Sequence, residues 1–164
     1  MKGLRRKINS FTLLGLLLAS EATFSHPADI LRQIEGTPAP NGINVGMWSC
    51  HLYNISEGLY RNDLLSITYG GFFAGTLLNC FQDRCYAVGC QRYWLDIPLS
   101  QCVMSHFGYR LGLLYGYDER LSAIAGKCAI LPCLQFIYSI NYKKVGVELM
   151  LTGVTLSGGF FIRF

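Results

Sequence analysis

Charged side chains are scarce in this sequence, and long apolar runs are absent beyond its first 26 residues. Lys, Arg, Asp and Glu make up 15% of the 164 residues, against about 25% in an ordinary soluble chain. Disorder is excluded, because disordered chains combine high charge with low hydrophobicity and 51% of these residues are apolar. Without a run of about 18 apolar residues, a bundle of membrane-spanning helices is not expected. The 18 glycines and 13% aromatic residues favour β-strands.

The first 22 residues have the three-part layout of a secretory signal peptide. Four basic residues in Lys2–Lys7 precede a short apolar run, Phe11–Ala19, and small residues follow at Ser20 and Ala22. An N-terminal anchor that stays attached is the alternative. Cleavage after Ala22 removes four of the 14 basic residues and one of the 10 acidic residues, which leaves 10 basic and 9 acidic residues. This balance leaves no basic patch, and no nucleic-acid partner is expected.

Hydrophobicity alternates with period two through much of the chain, which is the pattern of β-strands. One face of each segment is large and apolar, and the other carries mainly Gly, Ser, Gln, Asn, Arg or Glu. The eight predicted strands are at about 43–53, 58–67, 70–80, 84–95, 105–116, 132–142, 145–152 and 156–164. We therefore predict an all-β fold, an eight-stranded antiparallel membrane β-barrel whose apolar face contacts lipid. Such a barrel holds packed side chains or one small ligand.

A short amphipathic helix is expected ahead of the barrel. Pro27 is tolerated in a first helical turn, and Ile30, Leu31 and Ile34 share one face, so residues 27–35 suit a helix lying at a membrane interface. A solvated linker is the alternative. The expected segments are a signal peptide at 1–22, a short helix and linker at 23–42, and a β-barrel domain at 43–164.

The position of the protein in the cell follows from two features together. Export by a signal peptide, and a last strand that alternates up to Phe164, predict the outer membrane of a Gram-negative bacterium. Aromatic residues near predicted strand ends, at Phe107, Tyr115 and Tyr142, suit the aromatic girdle of such barrels. We expect a monomer in the membrane.

Several short motifs, taken in order, resemble the lipid A palmitoyltransferase (PagP-like) family over residues 43–164. They are Trp48–His51, Tyr53–Leu59, Gly75–Arg84, Tyr115–Asp118, Ile130–Cys133 and Tyr142–Val147. The resemblance implies a barrel that holds one acyl chain and transfers a palmitoyl group from a phospholipid to lipid A. It also implies a site made of a His on the first outer loop and an Asp-Ser pair beyond a later strand. His51 matches that His, and Asn79-Cys80 stands where the family has Asp-Ser, so the carboxylate and the hydroxyl are both absent here.

The predicted topology independently brings the same residues to one rim, because the first and third strands both end there. A His can act as base near neutral pH, a Cys beside a His is a nucleophile, and an Asn can donate to an oxyanion. Acyl transfer needs this set, so His51, Asn79 and Cys80 are the candidate catalytic residues. An ordinary polar rim is the alternative for each of them. A non-catalytic barrel with a structural or interaction role is the alternative function.

The remaining polar residues have simpler interpretations. The seven cysteines show no C-x-x-C or His-rich metal spacing, and no cofactor or metal is expected. Cys80–Cys85 or Cys128–Cys133 could pair in an oxidising compartment, or the thiols could act as small apolar residues. Arg110 and Glu148 fall on inward-facing positions. A structural ion-pair network there is favoured over a polar substrate site, because an unpaired buried charge is costly.

Overall fold

The computed structural model describes residues 27–53, 60–119, 127–128 and 130–164. The predicted signal peptide at 1–22 lies outside the described residues. The chain divides into two compact units, one ending at Ile34 and the other running from Glu35 to Phe164.

The first unit contains most of a nine-residue helix, α1 (Pro27–Glu35), where the sequence predicts one. Three apolar side chains spaced along one face, Ile30, Leu31 and Ile34, are exposed. The helix is therefore amphipathic, and its expected place at a membrane interface stays a prediction. No helix among the described residues is long and apolar enough to cross a membrane.

The second unit is a closed, antiparallel β-barrel, which confirms the predicted fold class. Eight strands form it in the order β2, β4, β5, β6, β7, β8, β9 and β10, and β10 pairs back with β2. The strands are β1 (Thr37–Pro38), β2 (Gly42–His51), β3 (Tyr60–Arg61), β4 (Leu65–Tyr69), β5 (Phe72–Leu78), β6 (Arg84–Pro98), β7 (Val103–Tyr115), β8 (Ile130–Tyr142), β9 (Val145–Thr152) and β10 (Thr155–Arg163). Each of the eight predicted strands corresponds to one of these, with β3 and β4 together forming the second.

Two short strands complete the sheet. β3 pairs with β2 near the C-terminal end of β2. Asn62, which follows β3, donates its backbone N–H to Met47 O of β2 at 2.7 Å, so β3 and β4 run along the same edge of β2. β1 pairs with Arg92 and Tyr93 of β6, shortly after Cys90, the β6 residue that pairs with the first residue of β5, Phe72. Part of the segment predicted as a linker therefore covers the exposed edge of the long β6 strand, an edge that would otherwise have unpaired backbone groups.

The turns between strands define the two ends of the barrel. Gly70-Gly71 joins β4 to β5 as a two-residue turn, and both residues have positive φ (+58° and +80°), which favours glycine. We call the end with this turn and Lys143-Lys144 the lower rim. The opposite end is the upper rim, with the end of β2, the 79–83 turn, the β7–β8 connection and the β9–β10 turn at Gly153-Val154.

Side chains alternate between a largely apolar exterior and a mixed interior, as predicted. On β7, for example, Phe107, Leu111 and Leu113 are exposed, whereas Arg110 between them is buried. The same alternation holds along β8, β9 and β10. Exposed large apolar residues are thus present on every long strand of the barrel, and polar side chains occupy its centre.

A buried ion pair crosses the interior and confirms the expected network. Arg110 Nη2 lies 3.1 Å from Glu148 Oε1, and the side chains are 6% and 1% exposed. Arg110 also donates to Gln91 Oε1 at 2.7 Å, while Asn44 Nδ2 donates to Glu148 Oε1 at 3.0 Å. Because both charges are hydrogen-bonded to further groups, the network is a stable cross-brace between β2, β6, β7 and β9.

Candidate functional site

A cavity of about 490 Å³ lies between the cross-brace and the upper rim. Its floor includes Arg110, Gln135 and Met150, and its walls carry apolar side chains such as Leu64, Leu77, Leu114 and Leu131. At the rim it is lined by His51, Cys80, Tyr117 and Val154. Its volume is within the range of small-ligand pockets. The barrel therefore holds a largely apolar space with polar groups at its mouth.

His51 is the last residue of β2 and lines the mouth of this cavity. Its ring lies 5.7 Å from that of Tyr60 and 5.6 Å from that of Tyr53, centroid to centroid. The first contact follows from strand register, because Ser49 pairs with Tyr60 across β2 and β3. Two aromatic rings therefore hold the imidazole at the rim.

Cys80 also lines the cavity, and Asn79 holds the turn that places it there. Asn79 is 1% exposed, and its Oδ1 accepts hydrogen bonds from the backbone N–H groups of Phe81 at 2.8 Å and Asp83 at 2.9 Å. Such bonds from an Asn side chain to following backbone groups stabilise turns. Asn79 is not among the described residues that line the cavity, and its side chain also hydrogen-bonds to Gly116 O, at 3.5 Å from Nδ2, and to the Cys85 side chain.

The structure thus brings the three predicted site residues to one rim but gives them different surroundings. His51 and Cys80 share the cavity, whereas the Asn79 amide oxygen is engaged by the backbone. The hypothesis that Asn79 donates to an oxyanion remains a prediction. Its placement supports a different contribution, which is to orient Cys80.

Tyr117 is a cavity residue to which the sequence analysis gave no role. Period-two alternation from the exposed Tyr115 would point Tyr117 outward. Gly116 has a φ of +108°, however, which ends the extended backbone and breaks the alternation. Burial raises the pKa of the Tyr117 phenol, so its hydroxyl stays protonated and can donate a hydrogen bond at neutral pH. The only signal in the sequence is a Tyr directly after a glycine at a strand end.

Disulfide bonds and metal-binding clusters were the two further roles considered for the cysteines. All seven cysteines lie in the described residues and none forms a disulfide, so neither the Cys80–Cys85 nor the Cys128–Cys133 bond is present. Among the residues that the structure describes, no group of three or more His, Cys, Asp or Glu side chains is arranged to hold a metal ion.

No protein-family model and no curated protein matches this chain. The resemblance to the lipid A palmitoyltransferases therefore stays a prediction.

Proposed function

We propose that this protein is an outer-membrane barrel that takes an acyl chain from a phospholipid into its interior and transfers it to lipid A. The cavity supports this proposal most directly, since one largely apolar space is lined at its mouth by both an imidazole and a thiol. A lipid chain fits the apolar walls, and the ester that links it to a headgroup would lie at the polar rim.

The apolar exterior supports the membrane location. Large apolar side chains are exposed on every long strand, while the described ionic and amide groups of the centre are buried. Monomeric soluble proteins rarely expose contiguous apolar surfaces of this extent, whereas outer-membrane barrels have this arrangement. Tyr115 near the upper rim and Tyr142 near the lower rim suit the aromatic girdles. A signal peptide at 1–22 would bring the chain to that membrane, where we expect a monomer.

The proposed reaction uses three cavity residues. His51 accepts the proton of the Cys80 thiol as the sulfur attacks the ester carbonyl, and Tyr117 donates a hydrogen bond to the oxyanion. The carbon–oxygen bond breaks, and His51 returns the proton to the departing lysophospholipid. A hydroxyl of lipid A then attacks the thioester while His51 accepts its proton. The thiolate leaves and regains that proton, so the enzyme is restored.

A non-catalytic barrel is the second candidate function, and one observation favours it. The position at which the resembling family has a carboxylate is occupied here by Asn79, whose amide oxygen is used in the turn. The contacts of the His51 imidazole among the described residues include two aromatic rings, those of Tyr53 and Tyr60. In this alternative the cavity holds a lipid chain without transferring it.

Lipid mass spectrometry on membranes with and without the protein tests the proposal. Active protein adds the mass of an acyl chain to lipid A, and His51→Asn should lower the rate about 10²–10⁴-fold, the usual contribution of a general base. Cys80→Ser should keep or raise activity and Cys80→Ala should lower it, whereas Cys102→Ala, near the lower rim, serves as the matched control. Wild-type rates in His51→Asn would remove His51 from the mechanism. If no preparation modifies any lipid, the non-catalytic alternative is favoured.

A further inference from the structure

The two strands that carry the reactive residues His51 and Cys80 to the cavity mouth are not neighbours in the barrel. β2 ends at His51, β5 ends at Leu78 just before the turn that contains Cys80, and β4 lies between these strands. The ladder between β4 and β5 runs up to the pair Leu65–Thr76. The spacing of β2 and β5 at the upper rim therefore depends on the residues between β3 and β4.

Asn62 lies in this interval and connects the two strands. Its Oδ1 accepts a hydrogen bond from Ser49 Oγ at 2.7 Å, and its Nδ2 donates to Leu78 O at 2.8 Å. Its backbone makes the same connection, since Asn62 N–H donates to Met47 O at 2.7 Å and Leu78 N–H donates to Asn62 O at 2.6 Å. This residue is thus bonded twice to β2 and twice to β5.

The residues bonded to Asn62 are close in sequence to the reactive side chains. Ser49 precedes His51 by two positions and lines the cavity with it, and Leu78 precedes Cys80 by two positions. Asn62 is 3% exposed and both ends of its amide are bonded, so the side chain is held in one orientation. The amide is therefore a rigid link between the backbone that carries the imidazole and the backbone that carries the thiol.

We propose that Asn62 is a positioning residue that holds the His51 imidazole within reach of the Cys80 thiol. This inference rests on the proposed acyl transfer, in which His51 accepts the thiol proton, and adds a residue on which that transfer depends. Loss of the amide should let β2 and β5 separate at the rim. Asn62→Ala should lower kcat for acyl transfer about 10- to 100-fold, because a misplacement of about 1 Å between reacting groups has an effect of that size. KM should change little, since the apolar walls that bind the chain remain.

Alkylation of Cys80 by iodoacetamide tests the inference without requiring acyl transfer. Cys80 is the only cysteine between Arg61 and Arg84, so one tryptic peptide reports on it alone. The alkylation rate is measured as a function of pH on full-length protein in detergent. His51→Asn and Asn62→Ala should each slow it about 3- to 10-fold at neutral pH, because a thiol without a base is only a few per cent thiolate there. The double variant should be no slower than His51→Asn alone, since both changes remove the same base.

Three controls separate positioning from a general loss of structure. Asn141→Ala removes an amide that is also bonded through both ends, but at the lower rim, and should leave the Cys80 rate unchanged. Cys85 is 0% exposed, so its slow alkylation reports that the neighbouring turn is intact. Ser49→Thr keeps the hydroxyl that donates to Asn62 and should keep the wild-type rate, whereas Ser49→Ala should slow the reaction.

The possible outcomes distinguish this inference from the proposed function. A wild-type Cys80 rate in Asn62→Ala, together with a slow rate in His51→Asn, would overturn the inference and leave the His51–Cys80 pair standing. A wild-type rate in His51→Asn would overturn both. Faster alkylation of Cys80 and Cys85 in Asn62→Ala would mean that Asn62 only supports the fold, which also overturns the inference. If Cys80 slows as expected but no lipid is modified, acyl transfer is excluded and the positioning by Asn62 stands.

Discussion

Breaking the buried ion pair between Arg110 and Glu148 from one side only should destabilise the barrel strongly. Glu148→Met removes a carboxylate that accepts hydrogen bonds from Arg110, Asn44 and Gln91 at 3.1, 3.0 and 3.3 Å. The guanidinium then stays buried, with a side chain 6% exposed and no opposite charge beside it in the described structure. Arg110→Met likewise leaves the Glu148 carboxylate buried, with no opposite charge beside it in the described structure.

The magnitude follows from the desolvation of the remaining charge. Removing one partner of a buried pair typically costs about 3–5 kcal/mol, whereas replacing both partners with apolar side chains of similar volume is often neutral or stabilising. We therefore expect each single variant to lose about 3–5 kcal/mol and the double variant, Arg110→Met with Glu148→Met, to lose far less than the two single losses combined. The exposed pair Arg61–Asp63, with Arg61 87% exposed, is the matched control, and Arg61→Gln should cost less than about 1 kcal/mol.

Urea unfolding of the protein in detergent, followed by tryptophan fluorescence and by gel mobility, measures these free energies. The two probes have to give the same transition before the values are used. A double variant that loses as much as the sum of its parents would refute the reasoning, because it would mean that the two charges do not depend on each other. Loss in Arg61→Gln equal to that in Glu148→Met would do so as well.

Three further predictions concern the rim, the last residue and the cavity wall. Tyr117→Phe should slow acyl transfer about 100-fold if the phenol donates to the oxyanion. Tyr115 is exposed on the outer face, so Tyr115→Phe should keep the wild-type rate. A wild-type rate for Tyr117→Phe in lipid mass spectrometry would exclude donation by Tyr117 to the oxyanion. Deletion of Phe164 should reduce the amount of folded, heat-modifiable barrel, because the Phe164 N–H donates to Asn41 O at 3.2 Å beside the closing pair of β10 and β2; unchanged assembly would show that this contact is dispensable. Gly75→Val should lower the yield of folded protein, because its Cβ would overlap the Ser66 Cβ; a normal yield on heat-modifiability gels would contradict the close approach.

The barrel could be predicted from the pattern of residues along the chain. Period-two alternation with a large apolar face gave all eight strands, because side chains on successive strand residues must point to opposite sides of the sheet. It also placed Arg110 and Glu148 inside, where the cost of an unpaired charge requires a partner. The exposed apolar side chains of β7 to β10 and the 3.1 Å ion pair agree with both inferences.

The surroundings of each rim residue depend on contacts that are present only in the folded chain. The sequence brought His51, Asn79 and Cys80 to one end, but could not distinguish an amide in a cavity from one bonded to its own turn, since that depends on the backbone of residues 79–83. It also missed Tyr117, because a single positive φ at Gly116 reverses the side on which the next residue lies. Likewise, the hydrogen bonds of Asn62 to β2 and β5 follow from strand register and packing. Period-two pattern predicts the face of residues within an extended strand, whereas the turn backbone at 79–83, the φ of Gly116 and the contacts between strands are set by the folded structure.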